Sequence, residues 1–442
     1  MSQLTNAAVF LLVLTASAII GCFANVASNA IIDLERELPT NAAGRQLIVL
    51  AAPSVWDSHY ADTFSALVDF YVDVIRTVMG RDNVLLLVDK HTLPHFKNRI
   101  PDDIILDANL YDIWLRDFAP MQIGDKLLKF TYRPKRVSEM FANLLDESWQ
   151  RFADDHFLEY DSSRLMLEGS KVVDNGIDKA IVWNKIFEDN NGVYKEWATR
   201  IQLRNFFGRV ALIAPQFNSS VYSESNATGM PFSHMMQFAD NDLVVTEELD
   251  TDEREYLEKI LTKSFRNEIR IVELQTHYIM DELVEGRPNT CGLHGEFLAT
   301  TNTIYFPVYG NDPANWKMGH GTMMDRHAMQ MVQVNTRKTV IPLNIPYEIC
   351  SRGYSLPALV WRLDHSIADH LVSVARMRSN IRAAIARKQR LFALPDEDLI
   401  PLPLKLQRES ETTKISAKFQ HRSEYQKVTR SKLLDATSEF KL

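Results

Sequence analysis

The chain reads as an α/β protein. Short runs of strand length and strand composition recur along it, segments with helical character lie between several of them, and no Pro/Ser-rich linker divides residues 45–365. The first strand candidate is RQLIVLAAPS (45–54) and the second DNVLLLVD (82–89), with a helix expected over 60–80 between them. KLLKFTY (126–132) follows, then a helix over 138–156 and the run RLMLEGS (164–170). RVALIAP (209–215), DLVVTEE (242–248), a helix over 252–265, RIVELQTH (270–277), TIYFPVYG (303–310) and a helix over 325–334 continue the alternation. One domain over 45–365 is the reading that follows. Beyond it, ALVWRLDHSIADHLVSVARMRSNIRAAIARKQRLF runs into a long C-terminal helix, placed at 366–400, whose basic end suits a helix C-terminus. Residues 401–442 turn polar and predict a mobile tail, with nine Lys or Arg against five Asp or Glu.

The N-terminus supplies an address. Residues Ala7 to Ala24 form an apolar run broken only by small polar residues, and small residues follow it in NVASNA. Residues 1–24 are expected to be a secretory signal peptide or, if retained, a single membrane anchor. No Lys or Arg precedes the run. Of the three cysteines, Cys22 falls in that segment, which leaves Cys291 and Cys350 either to form one disulfide or to remain as core thiols. Two acceptor sequons, Asn218-Ser219-Ser220 and Asn226-Ala227-Thr228, share one polar stretch and fit an exposed loop of a secreted glycoprotein.

Composition excludes some classes. A hydrophobic content of 46% across 442 residues is enough for a large core. The formal net charge of -8 argues against a general nucleic-acid binder, which needs a basic face to displace counterions from phosphate. Membrane contact is expected only if the N-terminal segment is retained. His320 and His327 lack a third ligand at metal-site spacing, so no metal is expected. Neither a phosphate-cradling G-x-G-x-x-G loop nor a Ser nucleophile elbow is present. Cys291 and His294 lie three residues apart, which reads as coincidence or as the flank of a disulfide.

Charge is concentrated in YDIWLRDFAP (111–120), which places Asp112, Arg116 and Asp117 among three aromatics and a proline. Leu167-Glu168-Gly169 follows some fifty residues later, then GMPFSHMMQFADNDLVV, GEFLATTNTIYFPVYGND and SRGYSLPALVW. In this order and spacing the stretches resemble the agmatine deiminase and Porphyromonas-type (bacterial-type) peptidylarginine deiminase family. Its members carry Trp-x-Arg-Asp-x-x-Pro, Leu-Glu-Gly-Gly, Gly-His-x-Asp, a strand pair ending in Pro and a Gly-Asp turn, and Gly-Gly-x-x-His-Cys.

The resemblance implies a five-bladed α/β propeller, the pentein fold, and hydrolysis of a guanidino group to a ureido group and ammonia. It implies no cofactor, and as ligand a small guanidino compound or an arginine-bearing peptide. A guanidinium is planar and always charged, so carboxylates must clamp its N–H fork while a Cys thiolate attacks the central carbon and a His moves the protons. By motif, Asp117 is the retained guanidinium carboxylate, and Trp114, Arg116 and Glu168 line the site. The remaining positions depart from the pattern. Counted forward from Gly229, the family's His and Asp fall on Met230 and Phe232; counted back from Phe238, they fall on Pro231 and Ser233. His234 sits several residues later, on a stretch expected to be helical. Ala358 stands where the Cys should be, and Ser170 replaces the second Gly of Leu-Glu-Gly-Gly. The chain is therefore expected to be a pseudoenzyme or guanidinium-binding protein; the alternative is an active deiminase that uses displaced His234 and Cys350.

Overall fold

Strands buried on both faces are apolar throughout, and that property organises the first sheet. β1 (Leu47–Ala51) is buried along its whole length, as is β2 (Asn83–Val88), and the two pair in parallel. Between them crosses α1 (Phe64–Val78), whose Leu67, Phe70, Tyr71, Val74, Ile75 and Val78 form one buried stripe at helical spacing. β3 (Ile105–Asp107) extends the sheet beside β2. This is a computed structural model, and it describes residues 45–134, 137–213, 235–266, 268–274, 289–317 and 321–392. The Ala7–Ala24 run, both sequons, residues 230–234 and the polar tail lie outside them.

After the four-residue helix α2 (Leu115–Phe118), one unit recurs along the chain. A short strand runs antiparallel to a longer one, a helix crosses over, and a third strand returns parallel to the second. The first such set is β4 (Met121–Ile123), β5 (Lys126–Thr131), α3 (Glu139–Asp155) and β6 (Asp161–Met166). The next is β7 (Val172–Asp174), β8 (Lys179–Trp183), the short α4 (Ile186–Asp189), α5 (Glu196–Phe207) and β9 (Arg209–Ile213). Then come β10 (Met236–Asp240), β11 (Leu243–Glu247), α6 (Thr251–Phe265) and β12 (Arg270–Leu274). The last comprises β13 (Leu298–Ala299), β14 (Thr303–Val308), α7 (Pro313–Lys317), α8 (Thr322–Asn335) and β15 (Thr339–Asn344). Two short helices, α9 (Tyr347–Cys350) and α10 (Leu356–Leu359), lead into β16 (Val360–Leu363) and then α11 (His365–Phe392). β16 pairs antiparallel with β1, so the end of the body completes the sheet that its beginning opened. Among the described residues there are five separate sheets, one of four strands and four of three, in a mixed α/β fold.

Local chemistry sets the helix starts. Ser138 caps α3 by accepting from Phe141 N at 3.2 Å, and Asp250 and Glu253 form a reciprocal capping box at α6. Every strand candidate in the sequence overlaps an observed strand. One differs in extent. RLMLEGS leaves its strand at Met166, and Gly169–Lys171 form a 3-10 turn, because Glu168 and Lys171 turn toward each other across it. The helix expected around His234 falls partly outside the described residues, and from Met236 the chain is strand β10, its apolar side chains buried in pairing with β11. The chain divides into two units, one reaching Ile381 and one from Arg382, of which 382–392 are described as helix.

Side chains tie the sheets together. Trp149 of α3 is fully buried, edge-on to Trp361 of β16 at 4.9 Å and to Phe118 of α2 at 6.4 Å, while Trp361 Nε1 donates to Pro120 O at 2.7 Å. Arg362, also on β16, donates to Ala299 O at 3.0 Å and to Asp174 Oδ1 at 3.2 Å. Asp82 accepts from Thr300 Oγ1 and from Tyr305 Oη, each at 2.8 Å.

Cys291 and Cys350 form a disulfide, which decides between the two readings of their thiols. It also corrects the alternative in which Cys350 acts as a displaced nucleophile: the sulfur is bonded and buried, so no thiolate is available there. Thr290 reinforces the link, its amide donating to Cys350 O at 2.9 Å and its hydroxyl lying 3.1 Å from both Cys350 O and Tyr354 O. Closing a loop of this size is worth about 4 kcal/mol on the chain-entropy model. Replacing both cysteines with serine should lower the unfolding free energy by about that amount in urea titrations without reductant. An unchanged midpoint would show that other contacts already hold this segment.

Candidate functional site

Trp114, Arg116 and Asp117 lie on or just before α2, a single helical turn that Pro120 terminates by forcing Ala119 into an extended conformation. The turn is strapped to the Leu167–Lys171 segment from both directions. Arg116 Nε donates to Gly169 O at 3.1 Å and its Nη2 to Val172 O at 2.5 Å, while Asp117 Oδ1 accepts from Ser170 N at 3.0 Å. Gly169 is needed here, because a Cβ at that position would lie 1.9 Å from Arg116 O. Burial lowers the Arg116 pKa, and the nearby Asp174 opposes that shift. Arg116 thus orients the loop through backbone carbonyls.

The structure brings Asp117, Glu168 and Ala358 into one neighbourhood. Both the 169–171 turn and α10 pack against α2, and all three residues are buried, at 8%, 4% and 5% exposure. Ala358 sits at the end of α10, immediately before β16, and offers only a methyl group. Gly353 begins the approach to it with a φ of +76°, a left-handed turn that suits glycine. Met230, Pro231, Phe232, Ser233 and His234 lie outside the described residues.

Several contributors were not legible in the sequence. Tyr354 stacks on Trp114, ring centroids 5.3 Å apart and planes 20° from parallel. Tyr60 Oη donates to Asp112 Oδ1 at 2.6 Å, and that oxygen also accepts from Ile113 N at 2.7 Å. Tyr71, fully buried, has its pKa pushed well up by burial, with Tyr354 and Asp112 adding to the shift. Lys171 pairs with Glu168 Oε1 and lies 2.6 Å from Asp189 Oδ2 at the end of α4. Burial works against the Lys171 charge, yet Glu168 and Asp189 outweigh it and raise the pKa. These partners lie far apart in the chain or depend on a turn, so no local motif announces them.

Elsewhere, His294 is buried with Nε2 2.9 Å from Asp325 Oδ1, and Asp325 Oδ2 accepts from Gly310 N at 2.7 Å. His294 therefore engages Asp325 as a structural pair under β14, while Cys291 is committed to the disulfide. His327 is exposed on α8, and His320 lies outside the described residues. Among the described residues, no three His, Cys, Asp or Glu side chains converge as a metal site. What the neighbourhood can do chemically is present buried carboxylates beside aromatic faces, which suits a planar cation.

The fold is similar to that of the C. jejuni agmatine deiminase, with 16% identity, a TM-score of 0.53 and coverage of 73% of this chain and 94% of that one. It is similar as well to the agmatine deiminase of Enterococcus faecalis, with 13% identity, a TM-score of 0.55 and coverage of 74% and 95%. None of the curated proteins matches the chain. The family model of Porphyromonas-type peptidyl-arginine deiminase matches residues 37–346, more than two thirds of the sequence, and ends before the segment that carries Ala358. With Trp114, Arg116, Asp117 and Glu168 inside that match, the chain belongs to the Porphyromonas-type peptidyl-arginine deiminase family.

Proposed function

We propose that the chain is a non-hydrolytic member of this family, which binds the guanidino group of a small compound or of an arginine-bearing peptide without converting it. One observation carries the reading: Ala358, assigned by motif order to the position of the thiolate, is buried on the helix that packs against the helix of Asp117. A methyl group forms no covalent intermediate, and loss of a nucleophile removes nearly all chemical catalysis while binding survives. Cys350, in its disulfide, supplies no substitute. Four sheets of the described residues share one strand plan and β16 returns to β1 in the remaining sheet, which supports an arrangement as the blades of a propeller. Agmatine is a suitable probe because the C. jejuni and Enterococcus faecalis relatives are agmatine deiminases.

Charge-assisted hydrogen bonds to a carboxylate are worth about 1.5–3 kcal/mol each, so a site led by Asp117 should bind agmatine on the order of millimolar. Incubation of the purified chain with agmatine, free arginine and an arginine peptide should yield neither ureido product nor ammonia, and Asp117→Asn should abolish agmatine binding. Turnover of any of the three would overturn the proposal.

Secretion belongs to the same reading. The Ala7–Ala24 run, the paired sequons and the Cys291–Cys350 disulfide together support an oxidising, extracellular or luminal setting. Mass spectrometry of protein from a eukaryotic secretory host should find a mature start between residues 25 and 31 and glycan on Asn218 or Asn226. A retained Met1 with both asparagines bare would refute it.

A further inference from the structure

We infer that two side chains of the protein itself, the Lys171 ammonium and the Tyr354 ring, fill the guanidino subsite and set its specificity, so that a ligand enters by displacing them. The inference rests on the guanidino-binding reading above and names what limits access to that same site.

Lys171 takes the place of the ligand's charge. Its ammonium is held by Glu168 from its own turn and by Asp189 from α4, and all three side chains are largely buried, at 14%, 5% and 15% exposure. A carboxylate already paired with an internal cation has little net charge left to attract a guanidinium. Breaking that pair in a low-dielectric setting is costly, because it leaves a buried charge uncompensated. Glu168 therefore recognises a guanidino group only after Lys171 has moved.

Tyr354 takes the place of the ligand's plane. In the order Gly353-Tyr354-Ser355-Leu356-Pro357-Ala358 it stands at the second glycine of Gly-Gly-x-x-His-Cys, a position that otherwise carries no side chain. Its ring is 3% exposed and lies nearly parallel to Trp114, which is itself 8% exposed. A flat guanidinium prefers such an aromatic face, and here the face is covered. Thr290 and the Cys291–Cys350 disulfide anchor the backbone on either side of Gly353, so the ring is held from behind.

A site open for only a fraction of the time shows an affinity reduced by that fraction. Agmatine binding to the full chain, followed by calorimetry or ligand-detected NMR, should tighten about tenfold in Tyr354→Gly and again in Lys171→Met, each relative to wild type. Tyr354→Phe and Lys171→Arg, which keep the ring and the cation, should show no such gain. Asp117→Asn introduced into the double opened variant should remove it. Should Lys171→Met fail to fold by thermal melting, Lys171→Gln carries the same test with a neutral polar side chain. Equal affinity in wild type and both opened variants overturns the inference and leaves the guanidino reading intact. Absence of agmatine binding in every form overturns the guanidino reading itself.

Discussion

Two consecutive residues of opposite charge, Arg116 and Asp117, bind one stretch of backbone, and the candidate site depends on that brace. Arg116 donates to the carbonyls of Gly169 and Val172, and Asp117 accepts from the amide of Ser170 between them. A buried loop must place its polar backbone groups somewhere, and here a guanidinium and a carboxylate from a distant turn take them. The outcome is positional: Glu168 at the start of the loop and Trp114 at the start of the helix are fixed in relation to each other. A proline at 120 keeps the helix to one turn, so the brace cannot slide along a longer helix.

A second brace meets the first from the end of the body. The disulfide and Thr290 hold residues 350–354, Tyr354 stacks on Trp114, and α10 delivers Ala358 to the same helix. Trp361 of the following strand then donates to Pro120 O, immediately beyond that helix. On the proposed reading, binding and chemistry rest on different groups of this arrangement. Asp117 is held by the Ser170 amide and Glu168 by the Lys171 ammonium, whereas Ala358 contributes one buried methyl group. Restraint on Asp117 is thus structural whether or not a guanidino compound is bound.

Much of this was legible from the sequence and some could not be. The long parallel strands were, because runs such as LIVLA and NVLLLV are buried on both faces and advertise it. The antiparallel partners were not: β13 is two residues, β7 is three, and neither is long enough to display a period. β16 was hidden in the approach to a helix, since Val360–Leu363 is apolar in either setting. Motif order singled out Asp117, Glu168 and Ala358 as candidates. It did not reveal that Lys171 bridges to Asp189, or that Tyr354 meets Trp114 across 240 positions, since both depend on tertiary structure. The cysteine pair was visible as a pair, but only three-dimensional proximity could choose a disulfide over two thiols.

Hydrogen exchange at the Ser170 amide tests the first brace most directly. With Asp117 as its acceptor, that amide should be protected in the wild-type chain and exchange faster in Asp117→Ala, while the amides of β1 and β2 keep their protection. Equal exchange at Ser170 in both chains, with the fold intact, would contradict the brace.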